Sequence, residues 1–185
     1  ANTRIVDTQV AGYPLRLAPL ELAFTNGEAV LTGDGALAGS ALSLSGTLTP
    51  FGEPLRYDLR AGLADLDVST FAPAAGLSSA LTTQLQLTGS GLSRPGARLT
   101  AQLDVQPSTF NNQRIDSGQL TVQLRQDTVR YDAQMAFPEG RAAARGSARL
   151  AAPLAYAVDR GQLTSVDVAA LLGDTTTSAL SGSFT

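Results

Sequence analysis

Three aspartates are the residues of this chain that come closest to a catalytic pair. Asp65 and Asp67 lie two positions apart, and Asp167 repeats Asp67 one hundred residues later. Paired carboxylates can share general acid and base roles when their environments separate their pKa values. The same residues are common in turns, and Asp67 or Ser69 could cap one helical turn that stops before Pro73. We therefore interpret them as capping and turn residues.

Two glycine-rich triplets are candidates for phosphate binding. Gly33-Asp34-Gly35 and Gly89-Ser90-Gly91 have the small residues that let a backbone approach a phosphate. Both lack the lysine and the following helix of a phosphate-binding loop. The sequence therefore predicts bulges or turns at these positions.

Arginines and tyrosines supply the remaining polar candidates. Arg141, Arg145 and Arg149 are spaced by four, but on a strand they would share one solvated face, so we interpret them as surface residues. Tyr57 and Tyr156 recur on the apolar side of their segments. We interpret them as rim or core residues rather than as ligand contacts.

Cysteine and histidine are both absent from the 185 residues. Their absence removes thiol nucleophiles, Cys-based metal sites and the commonest general base. The net charge of −3 disfavours nucleic acid, which requires clustered positive charge. The sequence thus predicts a protein that is not an enzyme, with no catalytic residues, no metal, no cofactor and no nucleic-acid partner.

The chain also lacks recognisable targeting features. No stretch approaches the roughly 18 apolar residues of a membrane-spanning helix, and no signal peptide opens the chain. The first and last residues read as the interiors of strands. We therefore expect an interior segment of a larger protein.

Period-two alternation of apolar and polar residues dominates the chain, so we predict an all-β fold of about eleven mostly antiparallel strands. Asn26-Gly27 favours a tight hairpin because both residues tolerate positive φ. Residues 109–125 are expected to form a short irregular piece that leads into a strand. One or two short helical turns complete the expected fold.

The chain repeats itself at a spacing of one hundred residues. Leu22 corresponds to Val122 and Leu44 to Ala144, and the offset falls to 99 between Tyr57 and Tyr156 because one residue is lost from the preceding loop. A slip of one residue would turn every side chain to the other face, so the preserved parity is strong evidence. We predict one β-segment over residues 1–185, made of repeats at about 1–106 and 107–185, the second truncated.

The strands place a wide apolar surface on one side, and the sequence encodes no long amphipathic helix to cover it. Three arrangements would accommodate such a surface. The sheet could pack on itself as a sandwich, close into a barrel, or curl into a trough with an apolar interior. The alternation does not decide which side is concave.

The chain resembles the AsmA-like/TamB superfamily of bacterial envelope proteins. The resemblance is carried by Asn112-Gln113-Arg114-Ile115-Asp116-Ser117-Gly118-Gln119-Leu120-Thr121-Val122-Gln123-Leu124. It is also carried by Leu66-Asp67-Val68-Ser69-Thr70-Phe71-Ala72-Pro73 followed by Leu85-Gln86-Leu87-Thr88-Gly89-Ser90-Gly91. It covers nearly the whole chain in two incomplete registers.

That resemblance implies a U-shaped, apolar-lined β-groove in the periplasm, held at the inner membrane by a segment outside this chain. The implied function is outer-membrane biogenesis, in which the groove carries phospholipid or other acyl chains between the membranes. The implied second partner is an outer-membrane barrel assembly protein, reached through other parts of the full-length protein.

The expected groove lining is the set of apolar residues that share one parity. It comprises Leu22, Phe24, Leu31, Leu42, Leu44, Leu55, Tyr57, Leu59, Leu85, Leu87, Leu99, Leu103, Val122, Leu124, Tyr131, Met135, Phe137 and Tyr156. Ala142, Ala144 and Ala148 replace leucines of the first repeat and are expected to widen the groove. Two alternatives remain: an assembly scaffold for outer-membrane proteins, and a structural stalk or adhesin spacer with a dry core.

Overall fold

Alternating side chains and short turns make the chain a succession of antiparallel strands. The computed structural model describes residues 2–10, 13–51, 53–71, 77–91, 96–151, 155–171 and 178–185. Its strands are β1 (Asn2–Val10), β2 (Tyr13–Thr25), β3 (Glu28–Leu37), β4 (Ser40–Thr49), β5 (Arg56–Leu66), β6 (Ser79–Ser90), β7 (Arg98–Val105), β8 (Ser108–Phe110), β9 (Gln113–Ile115), β10 (Ser117–Arg125), β11 (Thr128–Ala136), β12 (Arg141–Arg149), β13 (Ala155–Val166) and β14 (Leu180–Phe184). A 3-10 turn (Val68–Thr70) and a one-turn helix, α1 (Val168–Leu171), are the helical elements of the described residues. The predicted all-β fold is confirmed.

The sheet is an open, curled meander in which spatial order follows chain order. The strands run from β1 to β7 and then from β10 to β14, each pairing antiparallel with its predecessor. Two-residue turns join β2 to β3, β3 to β4 and β10 to β11, and such turns join only adjacent antiparallel strands. At the predicted hairpin, Asn26 has φ 51° and Gly27 has φ 82°, so both adopt the left-handed conformation that this turn requires.

The registers of the two halves agree from Leu20 of β2 to the end of β4. Phe24 lies opposite Ala29, and one hundred residues later Leu124 lies opposite Val129. Other pairs of β2, β3 and β4 recur in the same way in β10, β11 and β12. The repeat seen in the residue types is therefore also a repeat of the hydrogen-bond register.

A β-bulge in β13 returns the second half to register. Arg145 pairs with Arg160, but the next residue, Gly146, pairs with Val158, so Asp159 has no residue opposite it. The bulge adds back the one residue that is missing from the loop before β13. The sequence offset between the two halves, which is 99 at the start of β13, is therefore 100 again after Asp159. The apolar side chains of β13 consequently stay on one face.

The structure differs from the sequence prediction at residues 108–115. The sequence predicts an irregular piece from residue 109, but these residues form the hairpin β8–β9, and β8 also pairs with the start of β6. Asn111 (φ 45°) and Asn112 (φ 63°) form its turn, since asparagine tolerates positive φ. With this hairpin and the strands at both ends of the chain, the described residues form fourteen strands rather than about eleven.

The prediction of a bulge or turn at each glycine-rich triplet is confirmed only in part. Gly33 and Gly35 lie inside β3 in regular register with β4, and the irregularity lies on the opposite side, in β2. A Cβ at Gly33 would lie 3.1 Å from the carbonyl oxygen of Pro19, so glycine permits the bulged β2 backbone to come close. Gly91 does end its strand as predicted, with φ 69° and its N–H donating to the carbonyl of Leu55 at 2.8 Å.

One end of the strands, which we call the helical end, carries the 3-10 turn, α1 and several of the buried residues, whereas Ala29 is buried at the opposite end. Leu17, Ile115 and Val166 are at most 3% exposed. Ser40 and Ser108 are also buried there, and their hydroxyls donate to the carbonyls of Asp65 and Gln106. The total accessible surface is 11728 Å², whereas a compact protein of 19.1 kDa exposes about 8,400 Å².

The turn between β3 and β4 contains a correctable strain. Ala38 has φ 51°, a conformation that costs an alanine about 1 kcal/mol. We expect Ala38→Asn to raise the free energy of unfolding by about 0.5–1 kcal/mol, because asparagine tolerates this conformation. Urea denaturation measures the effect.

Ala41→Asn is the matched control, since Ala41 is an exposed residue in regular strand conformation. Asparagine there should give no gain. Equal stabilisation by both substitutions would contradict the assignment of strain to Ala38.

Candidate functional site

Four rows of apolar and small residues cross one face of the sheet, and we call this the apolar face. Directly opposite residues of neighbouring strands point to the same side, so each row can be followed from strand to strand. The central row runs through Leu22, Leu31, Gly46, Leu59, Leu87, Ala101, Val122, Tyr131, Gly146 and Val158. No polar residue interrupts this row from β2 to β13.

The residues expected to line a groove share this face. Sixteen of the eighteen lie in strands with the parity of the central row, and Leu55 and Phe137 lie one residue outside β5 and β11. Two of the sixteen are strongly exposed, Phe24 at 59% and Tyr156 at 83%. The structure thus brings the set together on one surface, and its role in binding stays a prediction.

Within the described residues, no second layer covers the apolar face. The strands pack mainly on their sheet neighbours, and the 3-10 turn packs against β6, while its C-cap Phe71 contacts the ring of Tyr13 in β2. No large side chain in this part of the chain is fully buried. The described residues therefore do not form the sandwich that the sequence allowed.

The opposite, polar face carries several shallow concavities. The largest has a volume of about 1150 Å³, and its lining includes Gln119, Gln134 and Gln162. A second, of about 530 Å³, is lined by polar-face residues of β3 to β7 such as Ser45 and Arg60. Sequence reasoning did not anticipate these concavities, because it concentrated on the apolar side.

Tyrosines on the apolar face lie across glycines of the neighbouring strand. A Cβ built on Gly89 would come within 2.5 Å of the Tyr57 hydroxyl, and one built on Gly146 within 2.6 Å of the Tyr131 hydroxyl. These residues are direct cross-strand partners. The rings therefore lie against the sheet instead of standing away from it, which keeps them half-buried without a second layer.

Tyr156 differs from Tyr57 although the two occupy equivalent positions. Its opposite residue is Ala148 rather than a glycine. On its other side, β14 pairs only with the far part of β13, between Gly161 and Val166. Among the described residues, Tyr156 therefore has only Ala148 opposite it and no glycine against which its ring could lie, which accounts for its 83% exposure.

The aspartates have capping roles, as the sequence predicted. Asp67 is the N-cap of the 3-10 turn, and its carboxylate accepts from the Ser69 N–H at 2.9 Å and the Ser69 hydroxyl at 2.7 Å. These two bonds favour the charged form and lower the pKa of Asp67. Asp167 accepts from the N–H and hydroxyl of Ser178 at 3.1 and 3.0 Å. Both carboxylates thus fasten turns at the helical end.

The other polar candidates are dispersed. Arg141, Arg145 and Arg149 are exposed on β12 and face the polar side. Asp65 is exposed, with φ 55°, at the irregularity between β5 and β6. No group of three potential metal ligands occurs among the described residues.

The class defined by the described residues is an all-β protein with one open antiparallel sheet and one apolar face. The chain matches no protein-family model, no curated protein and no solved structure. Among the described helices, none has the length and apolar character needed to cross a membrane.

Contact between the tyrosine rings and glycines gives a stability prediction. Gly146→Ala would place a methyl group against the Tyr131 ring and the Ala157 carbonyl oxygen. We expect the free energy of unfolding to fall by about 1–3 kcal/mol, measured by urea denaturation. Gly182→Ala, which meets nothing within 4 Å, should change it by less than about 0.5 kcal/mol. Equal decreases in the free energy of unfolding for the two variants would contradict the contact between the Tyr131 ring and Gly146.

The capping role of Asp67 gives a pH prediction. Because its pKa is lowered on folding, the cap stabilises the folded state above the unfolded pKa, and this stabilisation is lost as pH falls through the folded pKa. An NMR titration of the Asp67 carboxyl should give a midpoint below 3.8. Ser69→Ala should raise this midpoint, whereas Thr70→Ala should leave it unchanged. A midpoint that does not change in the Ser69→Ala variant would refute the assignment of the lowered pKa to the Ser69 hydroxyl.

Proposed function

We propose that this chain is a segment of a bacterial envelope protein of the AsmA-like/TamB type, whose apolar face binds and conducts lipid acyl chains. The observation that supports this most directly is the central apolar row, which crosses ten strands without a polar residue. The absence of a covering layer over the described part of that face leaves it available to a ligand. In this proposal the protein is not an enzyme, since its function is carried by a surface.

Burial of hydrocarbon supplies the driving force for the proposed binding. Each methylene removed from water contributes about 0.8 kcal/mol. Neighbouring strands are about 4.8 Å apart, so an acyl chain that moves by one strand meets a closely similar row of residues. Similar binding free energies at successive positions allow movement without a deep trap.

Lining residues differ between the two halves in a way that suits this proposal. Leu42, Leu44 and Leu48 of β4 become alanines in β12, at the same register positions. Smaller side chains leave more space above β12. The ligand in this proposal is therefore a flexible chain that tolerates a varying lining, as phospholipid acyl chains do.

The remaining features of the proposal come from the resemblance. The protein would stand in the periplasm, anchored to the inner membrane by a segment outside this chain. It would carry lipid to the outer membrane, with a barrel assembly protein as a partner of the full-length molecule.

A second candidate function is an assembly scaffold for outer-membrane proteins. It would use the same fold, but its partner would be an extended segment that adds to the sheet through backbone hydrogen bonds.

Photo-crosslinking in cells tests the proposal. A photoreactive residue at Leu44 or Leu124 should capture lipid, whereas one at the adjacent Ser43 or Gln123 on the polar face should not. Each pair is a matched control because its two members differ mainly in the face they occupy. Equal lipid capture from both faces would refute the proposal. Capture of unfolded outer-membrane proteins at Leu180, without lipid at Leu44, would support the scaffold instead.

A further inference from the structure

Three arginines from distant parts of the chain meet in one row at the end of the strands opposite the helical end. Arg56 begins β5, Arg98 begins β7 and Arg125 ends β10. Arg56 lies opposite Ser90, Ser90 lies opposite Arg98, and Arg98 lies opposite Arg125. Because directly opposite residues share a face, the three guanidinium groups lie on the polar face, within about three strand spacings of 4.8 Å.

The row brings like charges together without a directly paired carboxylate. Like charges placed directly opposite each other destabilise a sheet, yet Arg98 and Arg125 are direct partners. None of the three arginines forms an ion pair with a carboxylate in the part of the chain that the structure describes. Asp58, the next polar-face residue of β5 after Arg56, has a buried Oδ1 without a hydrogen-bond partner, so this oxygen accepts no hydrogen bond from the row. In a chain of net charge −3, this is an unusual concentration of positive charge.

A concavity of about 730 Å³ lies over this row. The three arginines line it together with Thr88, Ser90 and Thr100, and none of the lining residues that the structure describes is acidic. Hydroxyl groups and guanidinium forks are the donors that bind phosphate oxygens. The site therefore has a volume, a positive charge and a donor set that suit an anion.

We propose that Arg56, Arg98 and Arg125 form a binding site for a phosphate group, supplied either by a phospholipid headgroup or by a soluble phosphate ester. The site lies on the face opposite the apolar rows and stands independently of acyl-chain binding. It is at the margin of the sheet, where Leu99 and Leu124 of the apolar face are immediate chain neighbours of Arg98 and Arg125. A phospholipid could therefore place its headgroup at this margin with its acyl chains on the apolar face.

A second pair of facing arginines provides the control. Arg145 and Arg160 are also direct partners, but Asp132 lies opposite Arg145 on the other side. They lie in the interior of the polar face and do not line the 730 Å³ concavity. The double variants R98Q/R125Q and R145Q/R160Q therefore remove equal charge from places with and without the proposed site.

Vesicle flotation and NMR titration test the two sources of phosphate. Vesicles of phosphatidylglycerol in phosphatidylcholine probe the headgroup, and glycerol 3-phosphate probes the soluble ester. We expect R98Q/R125Q to weaken binding of at least one probe about tenfold, the effect of losing one charge-assisted hydrogen bond, and R145Q/R160Q to leave it within about twofold. Higher salt should weaken binding, because exposed charges are screened.

The outcomes separate the alternatives. Binding of the vesicles but not of glycerol 3-phosphate would support a headgroup site, and the reverse would support a soluble ligand. Equal losses in both double variants, or no binding of either probe by the wild-type protein, would overturn the proposal. Lipid capture at Leu44 from neutral vesicles is unaffected by these substitutions if acyl binding is separate, so failure here leaves the proposed function to its own test.

Discussion

The register of the backbone hydrogen bonds is the constraint on which the rest of this structure depends. Side chains alternate with a period of two, so each strand presents its apolar residues to one side only while its register is kept. The bulge at Asp159 makes this constraint visible. One residue is missing before β13, and the bulge restores the pairing of Arg145 with Arg160. Residue types drift between the halves, but from Leu20 of β2 to the end of β4 the face to which each position belongs does not.

An apolar face that the described residues leave without a covering layer needs other means of stability. Part of the solution lies at the helical end, where Asp67 and Asp167 cap turns and where Leu17, Ile115 and Val166 are buried. Another part lies on the face itself, where Tyr57 and Tyr131 lie against glycines of the neighbouring strands. Both devices bury apolar area without a second layer.

Much of the fold follows from local patterns, and apart from the hairpin β8–β9 the main departures depend on strands that are remote in sequence. Parity, the Asn26-Gly27 turn and the Asp67 cap are each encoded within a few neighbouring residues, so the sequence predicts them. The pairing of Arg98 with Arg125, in contrast, is not encoded by neighbouring residues. It requires that β8–β9 leave the main sheet so that β10 pairs directly with β7. No local sequence pattern indicates this pairing, so the sequence does not predict the arginine row. The difference between Tyr57 and Tyr156 likewise depends on strands that are remote in sequence.

The meander order has a consequence for how the molecule forms and fails. Since each strand packs mainly on its neighbours in the chain, order can spread in either direction from an early hairpin. The same arrangement provides few connections that bypass a damaged strand. Disruption of a central strand such as β5 would divide the sheet into two blocks with separate melting behaviour. Cooperative unfolding of this protein therefore depends on the contacts between adjacent strands.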